Sequence, residues 1–264
     1  MSAGDPQSPR AWRPQCTDDG SWTLLHPEHG QACHSDSGAW TQARERYASV
    51  IADLPSQHFE GGTLRLLDIG TGLGLNLAAA LEACEARGLR LEAYSFEIDR
   101  SVVLAARELA LSTGVCASSH ARVLEALEHG FDTRSPAASR IIQPGAHGLT
   151  WIVGDARIEL PRLPVELCFD VVFLDPFSPG VDPPLWEPAF LTEVARRMAP
   201  GARLATYTTA MRVRTALARA GLSVGAGPRV GRKAAGTLAS RGGLVPQLDP
   251  RTQRRLERAA AAGA

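Results

Sequence analysis

The sequence predicts an α/β protein built on a mostly parallel, doubly wound sheet. Three observations carry that expectation. Short apolar runs of strand length alternate with longer amphipathic stretches of helix length. A glycine-rich turn joins the first main run to the helix that follows it. Carboxylates close the next three runs, and open parallel sheets collect their ligands beyond the C-terminal ends of their strands.

Taken in order, residues 1 to about 20 are polar and proline-bearing and read as disordered. Trp40, Ala43, Tyr47, Val50 and Ile51 recur at helical spacing, which predicts a helix over Trp40 to Leu54. Leu64 to Ile69 is an apolar run that suits a buried parallel strand, followed by a helix from Leu75 to Arg87. Leu91 to Glu97 and Ser101 to Leu111 repeat the pair. Between Thr113 and Gly148 the pattern supports only a helix near Ala121 to His129 and then a Ser/Pro/Gly loop. Trp151 to Val153 and Phe169 to Leu174 read as further strands. A helix at Glu187 to Met198, a strand at Arg203 to Thr208 and a helix at Met211 to Ala220 follow, the last stopped by Gly221.

A chain of 264 residues suffices for one sizeable core. It has no apolar run near the roughly 20 residues that cross a bilayer and no signal-peptide pattern at its start, so the expectation is a cytoplasmic protein with no membrane association. The five cysteines form no C-x-x-C pair, and His26, His29 and His34 have no ligand-spaced acids or cysteines, so no metal is expected. Cys33, beside His34, is the one thiol whose setting invites a nucleophilic reading, against a packing role.

The zero net charge conceals an asymmetry. From Arg196 onward the chain carries 14 of its 28 Lys+Arg but only 2 of its 28 Asp+Glu. A basic C-terminal third is the electrostatic footprint of a nucleic-acid partner, or else the solvated surface of an arginine-rich chain.

The turn Asp68-Ile69-Gly70-Thr71-Gly72-Leu73-Gly74-Leu75-Asn76 lets a ligand approach backbone that carries no Cβ. It lacks the Gly-Lys-Ser/Thr of a triphosphate loop. Its glycine spacing also differs from the G-x-G-x-x-G that seats a dinucleotide pyrophosphate. Glu97 ends the second strand, where a carboxylate accepts ribose hydroxyls, while Asp99 reads as a helix cap. Asp155, after the third strand, can accept an adenine amino group, with the Ala156 N–H serving a ring nitrogen. Asp68 would face the ligand's cationic amino group. Together these residues predict a Rossmann-like class I S-adenosylmethionine-dependent methyltransferase, with S-adenosyl-L-methionine as cofactor. The fourth strand ends in Asp175-Pro176-Phe177, placing a polar group beside an aromatic face near the transferred methyl. Phe177 or Trp186 could hold a flat base by stacking.

The runs Asp155-Ala156-Arg157, Phe173-Leu174-Asp175-Pro176-Phe177-Ser178-Pro179 and Pro183-Pro184-Leu185-Trp186 resemble the methyltransferase part of MnmC-type tRNA-modifying proteins. So do Gly70 to Asn76, Asp19-Gly20-Ser21-Trp22-Thr23 and His34-Ser35-Asp36-Ser37-Gly38-Ala39. The resemblance runs from about Asp19 to Leu248 and looks like the methyltransferase-only branch, without the FAD-dependent oxidase. It implies N-methylation of the aminomethyl group of 5-aminomethyl(-2-thio)uridine at the tRNA wobble position, with a separate enzyme supplying that amine. Two places depart from the family pattern, Gly180-Val181-Asp182 and Ala234-Ala235-Gly236.

On this reading Asp68, Gly70, Gly72, Gly74, Asn76, Glu97, Asp155, Ala156 and His34 meet the cofactor. Asp175, Pro176 and Phe177 carry the chemistry, with Asp175 hydrogen-bonding the amine and relaying its proton. Trp186 positions the base, and Arg232 and Lys233 contact tRNA phosphates. The expected divisions are a disordered N-terminus (1–18), a cofactor-covering segment (19–60), the methyltransferase domain (61–248) and a basic C-terminal tail (249–264). Two rivals remain: the same fold acting on a small-molecule or protein amine, and a catalytically inactive module binding tRNA or protein.

Overall fold

The computed structural model describes residues 11–54, 62–129, 147–230 and 235–262, and the backbone of 137–142. Its centre is an eight-stranded sheet in the order β5-β6-β4-β3-β7-β8-β10-β9. The strands are β3 (Thr63–Ile69), β4 (Arg90–Glu97), β5 (Ala137–Ile142), β6 (His147–Val153), β7 (Phe169–Leu174), β8 (Met198–Thr206), β9 (Ser223–Ala226) and β10 (Thr237–Ser240). β6, β4, β3, β7 and β8 run parallel, while β5 and β10 pair antiparallel to their neighbours. The chain goes outward from β3 to β4 and β6, then returns to the other side at β7, so strand order reverses beside β3.

Side-chain alternation explains the two-sided core. Leu64 and Leu66 of β3, with Val171 and Phe173 of β7, face α3 (Leu75–Ala86), α4 (Ser101–Thr113) and α5 (Ser118–His129). Leu67 and Ile69, with Val172 and Leu174, face α6 (Ala156–Glu159), α7 (Pro188–Arg196) and α8 (Met211–Arg219). Of these helices α6 was not expected, and α3 is buried on most of its sides rather than along one stripe; the bounds of the expected ones differ by at most three residues at either end.

The N-terminal region departs from expectation. Residues 13–16 form β1 (Arg13–Cys16), paired antiparallel with β2 (Trp22–Leu25), so disorder does not extend to residue 18; residues 1–10 lie outside the described part. The hairpin is ordered because it caps a helix. Ser21 Oγ accepts from the backbone N–H groups of Ala39 and Trp40, and Asp19 Oδ2 accepts from Thr41 N at 2.9 Å. Those bonds satisfy donors that a helix start leaves unpaired; against the raising effect of burial, hydrogen bonds from Ser21 and Thr41 hold the Asp19 carboxyl well below its ordinary range. The helix begins as α1 (Ala39–Gln42), widens into a π-helical segment (Ala43–Ala48) and closes as α2 (Ser49–Ala52).

In the eight-stranded sheet three strands were not legible: β5, expected as loop, and β9 and β10, the antiparallel pair beyond β8. The basic tail is a helix, α9 (Pro250–Ala261), started by Asp249, whose side chain accepts from Arg251 N and Thr252 N.

Candidate active site

A cavity of about 730 Å³ opens over the strand ends where the order reverses. Its walls come from the turn after β3, the end of β4, the turn after β6, the loop after β7 and the segment between β2 and α1.

Asp175 is held at both carboxylate oxygens in the cavity wall. It continues the alternation of Val171 and Phe173, so its side chain points to the face that carries Tyr47 and α3. Tyr47 packs its ring edge-on against Phe173 at 5.3 Å and donates its hydroxyl to Asp175 Oδ1 at 2.5 Å. Asn76, in the first turn of α3, donates Nδ2 to Asp175 Oδ2 at 2.8 Å. Burial raises the Asp175 carboxyl to about 7, against the lowering effect of those two bonds and of Arg46. Asn76 keeps a buried Oδ1 that finds no donor.

The glycines divide by function. Gly70 has φ +92°, and a Cβ there would meet the Asp175 carbonyl oxygen at 2.8 Å, so the β7 end can lie against the turn only if residue 70 lacks a side chain. A Cβ on Gly72 would approach only the Gly70 carbonyl oxygen, at 4.0 Å, which leaves that side open to the cavity. Gly74 does not line the cavity. Its missing side chain admits Val123 and Leu127 of α5.

Asp68 does not face the cavity, although the sequence predicts that it does. It is fully buried and outside the cavity wall, because the β3–β4 register sets it beside Ser95 on the α3 face. Ser95 Oγ donates to Asp68 Oδ2 at 2.6 Å and takes the Thr71 hydroxyl at 2.7 Å, so Asp68 anchors the turn through Ser95. Burial raises its carboxyl to about 8.

Glu97 lines the cavity where expected; its Oε2 accepts from Gly72 N at 3.0 Å and its Oε1 from Asp99 N at 3.0 Å. Burial raises its pKa. Asp99 accepts from Ser101 N at 2.9 Å, which is the capping role read for it. Asp155 lines the cavity and caps α6, and its pKa is lowered by bonds from the Arg157 side chain. Ala156 follows it in the wall, in the first turn of α6.

His34 closes the cavity from the β2–α1 segment. Its ring Nδ1 meets Thr23 Oγ1 at 3.1 Å, and burial lowers its pKa to about 4, so the ring is neutral. Cys33 also lines the wall, but burial drives its thiol pKa upward and leaves it protonated, a packing role rather than a nucleophile's. Phe177 stands in the wall with its ring edge-to-face on His26 at 5.1 Å, and His26 stacks on His29 at 4.2 Å. Among the described residues, no group of three or more His, Cys, Asp or Glu is arranged to hold a metal ion, and no helix is long and apolar enough to cross a membrane.

Trp186 does not reach the cavity. It is buried, and its Nε1 donates to the Phe177 carbonyl at 2.8 Å, so it supports the loop from beneath and offers no stacking face. Tyr207 supports the same loop by donating to the Pro176 carbonyl at 2.9 Å. Arg232 and Lys233 lie outside the described residues. Sequence reasoning missed Tyr47, Arg46 and Tyr207. Tyr47 reads from the sequence as an apolar helix position, and only its hydroxyl, in an otherwise apolar stripe, hints at more.

A family model described as S-adenosyl-L-methionine-dependent methyltransferase matches residues 120–242. The crystal structure of MnmC2 from Aquifex aeolicus superposes with a TM-score of 0.75 and 28% identity, covering 96% of this chain and 77% of that one. Strand order, cavity and these likenesses define the chain as a Rossmann-like, class I S-adenosylmethionine-dependent methyltransferase.

Within that class it is MnmC-like. The tRNA 5-methylaminomethyl-2-thiouridine biosynthesis bifunctional protein MnmC of Aromatoleum aromaticum is 34% identical over 206 residues, which are 78% of this chain and 31% of that protein. Its counterpart in Pseudomonas aeruginosa strain UCBPP-PA14 is 36% identical over 182 residues, 66% of this chain and 26% of that protein. The chain therefore spans about a third of the length of the curated relatives it matches.

Proposed function

We propose that the protein transfers a methyl group from S-adenosylmethionine to the primary amine of a 5-aminomethyluridine, thiolated or not, at the tRNA wobble position. The observation that carries this reading is Asp175, fixed at both carboxylate oxygens in the wall that Glu97, Asp155 and the glycine turn share. The tRNA-modifying MnmC relatives supply the substrate class.

The residues present fit the cofactor. Gly72 leaves open space, and the donor-less Oδ1 of Asn76 suits an ammonium group. Glu97 would accept ribose hydroxyls, while Asp155 and the Ala156 N–H would take adenine. When bound, the cofactor supplies an electrophilic methyl on a sulfonium. The part of the N-terminal segment from His26 to Arg46 lines the cavity and would cover it, with His34 as a neutral part of the lid.

Asp175 holds the substrate amine and receives its proton. A carboxyl raised to about 7 is well matched to that task near neutral pH. Tyr47 and Asn76 keep its oxygens aimed, which is positioning rather than proton transfer. Phe177 presents an aromatic wall to the uracil ring, on a loop that Pro176, Tyr207 and Trp186 hold in place.

The test is methyl transfer from labelled cofactor into tRNA lacking only this last methylation, followed by nucleoside analysis. Label is expected in the 5-methylaminomethyl base. Label in another nucleoside, or turnover confined to small amines, would overturn the substrate while leaving the enzyme class.

A further inference from the structure

Helix α9 carries Arg251, Arg254, Arg255 and Arg258, which recur at i, i+3, i+4 and i+7. At 100° per residue the four fall on one face, and all four are exposed. Leu256, on the opposite side, is buried where α9 packs on α8. Among the described residues, no ion pair or side-chain hydrogen bond engages any of the four guanidinium groups.

Many surface arginines elsewhere are matched to acids. Arg44 pairs with Glu82, Arg65 with Glu92, Arg107 with Glu128, Arg162 with Glu159 and Arg196 with Glu193. Arg13 and Arg229 are also exposed and engage no acid among the described residues, but each stands singly, whereas α9 gathers four unmatched cations on one helix face. Like charges at i, i+4 also weaken an isolated helix. The stripe is tolerated here because α9 is fastened at both ends. Asp249 caps its start, and the Arg219 side chain donates to the carbonyls of Ala259 and Ala260, at 2.7 and 3.4 Å, at its end.

The same contacts orient the stripe relative to the cavity. α8 starts two residues after Thr209, which lines the cavity, and Arg212 in its first turn donates to the Pro179 carbonyl at 2.5 Å. α9 runs alongside α8 in the same direction, with Asp249 near Arg214 and Ala259 beside Arg219. The arginines therefore begin on the cavity side of the molecule and lead away over about 10 Å of helix.

We propose that the outer face of α9 docks the phosphate backbone of the RNA substrate, gripping it outside the cavity while the reacting base enters. This rests on the tRNA reading above. Four unpaired guanidiniums in a row suit a polyanion, since each can take two phosphate oxygens and release condensed counterions.

The test compares the wild type with the R251Q/R254Q/R255Q/R258Q variant, which keeps helix propensity and the packed face of α9. Binding of tRNA lacking the final methylation is measured from 50 to 300 mM salt. A control variant, R44Q/R65Q/R107Q/R162Q, removes the same charge from ion-paired sites. We expect the α9 variant to lose about 3 from the slope of log K against log salt, and to weaken tRNA binding by about tenfold or more at low salt. The control should match the wild type in slope, and S-adenosylmethionine affinity by calorimetry should be equal in all three. Equal slopes for the α9 variant and the wild type would overturn the docking face while leaving the tRNA reading intact. A parallel loss in the control would overturn it too, by making the effect one of net charge alone. A wild type with no salt-dependent tRNA affinity would overturn both. Should the α9 variant instead lose only binding to phosphatidylglycerol vesicles, the stripe would belong to a lipid surface and the RNA assignment would fall.

Discussion

The Tyr47 hydroxyl donates to Asp175 Oδ1 at 2.5 Å across 128 positions of sequence, joining the π-helical segment to the end of β7. The bond stabilises the charged carboxylate, so it opposes the effect of burial on Asp175. Tyr47→Phe removes it and leaves the ring packing. The acid limb of the pH–rate profile should then move to higher pH, with activity recovering as pH rises and cofactor affinity unchanged. A uniform loss at every pH would show instead that the tyrosine is only a structural prop.

Asp175→Ala should lower methyl transfer by about 10²–10⁴-fold and leave S-adenosylmethionine binding in place. Single-turnover transfer and calorimetry on one preparation separate the two. Turnover at the wild-type rate would sink the assignment.

Gly70→Ala tests the close approach of the turn to β7. The added Cβ would meet the Asp175 carbonyl oxygen at 2.8 Å, with φ at +92°. Backbone strain of this kind costs about 1–3 kcal/mol, and it displaces the residue that holds the amine. Both the denaturant midpoint and kcat should fall. A midpoint equal to the wild type would mean that the turn yields freely.

Trp186→Phe keeps an aromatic ring but leaves the Phe177 carbonyl without its donor. Losing a part-buried hydrogen bond of this kind costs about 0.5–1.5 kcal/mol. Stability should drop while KM for tRNA changes little, whereas Phe177→Ala should raise that KM. The reverse pattern would restore Trp186 as a stacking surface.

Asp68 makes stability depend on pH. Its carboxyl is raised from 3.8 to about 8, so between those values the folded state binds a proton that the unfolded state does not. Its contribution is complete below pH 3.8 and is lost as pH rises through about 8. Thermal midpoints in the absence of cofactor should therefore fall from pH 5 to pH 9, and Asp68→Asn should flatten that decline. An unchanged slope in the variant would assign the pH dependence elsewhere, first of all to Asp175, which shifts in the same direction.

Most of the central fold was legible because hydrophobic periodicity reports burial directly. Leu64 to Ile69 and Phe169 to Leu174 could only be buried strands, and they are β3 and β7. β9 and β10 escaped because Ser223–Ala226 and Thr237–Ser240 are short and rich in small residues, with no alternation to read. β1 escaped because Arg13–Cys16 is mostly exposed, and what orders it is a helix cap more than 20 residues away.

For the site, the sequence by itself determined the chemistry available at each strand end: the glycine turn, Glu97, Asp155 and Asp175-Pro176-Phe177. These are local facts, set by strand termini and turn glycines close in the chain. Only the tertiary structure decided which way each side chain faces and what it meets. Register turned Asp68 inward onto Ser95, and packing buried Trp186 beneath the Phe177 loop instead of against a substrate base. The same packing brought Tyr47 to Asp175. Hydrogen bonds of that kind join residues distant in sequence, and no local pattern encodes the partner.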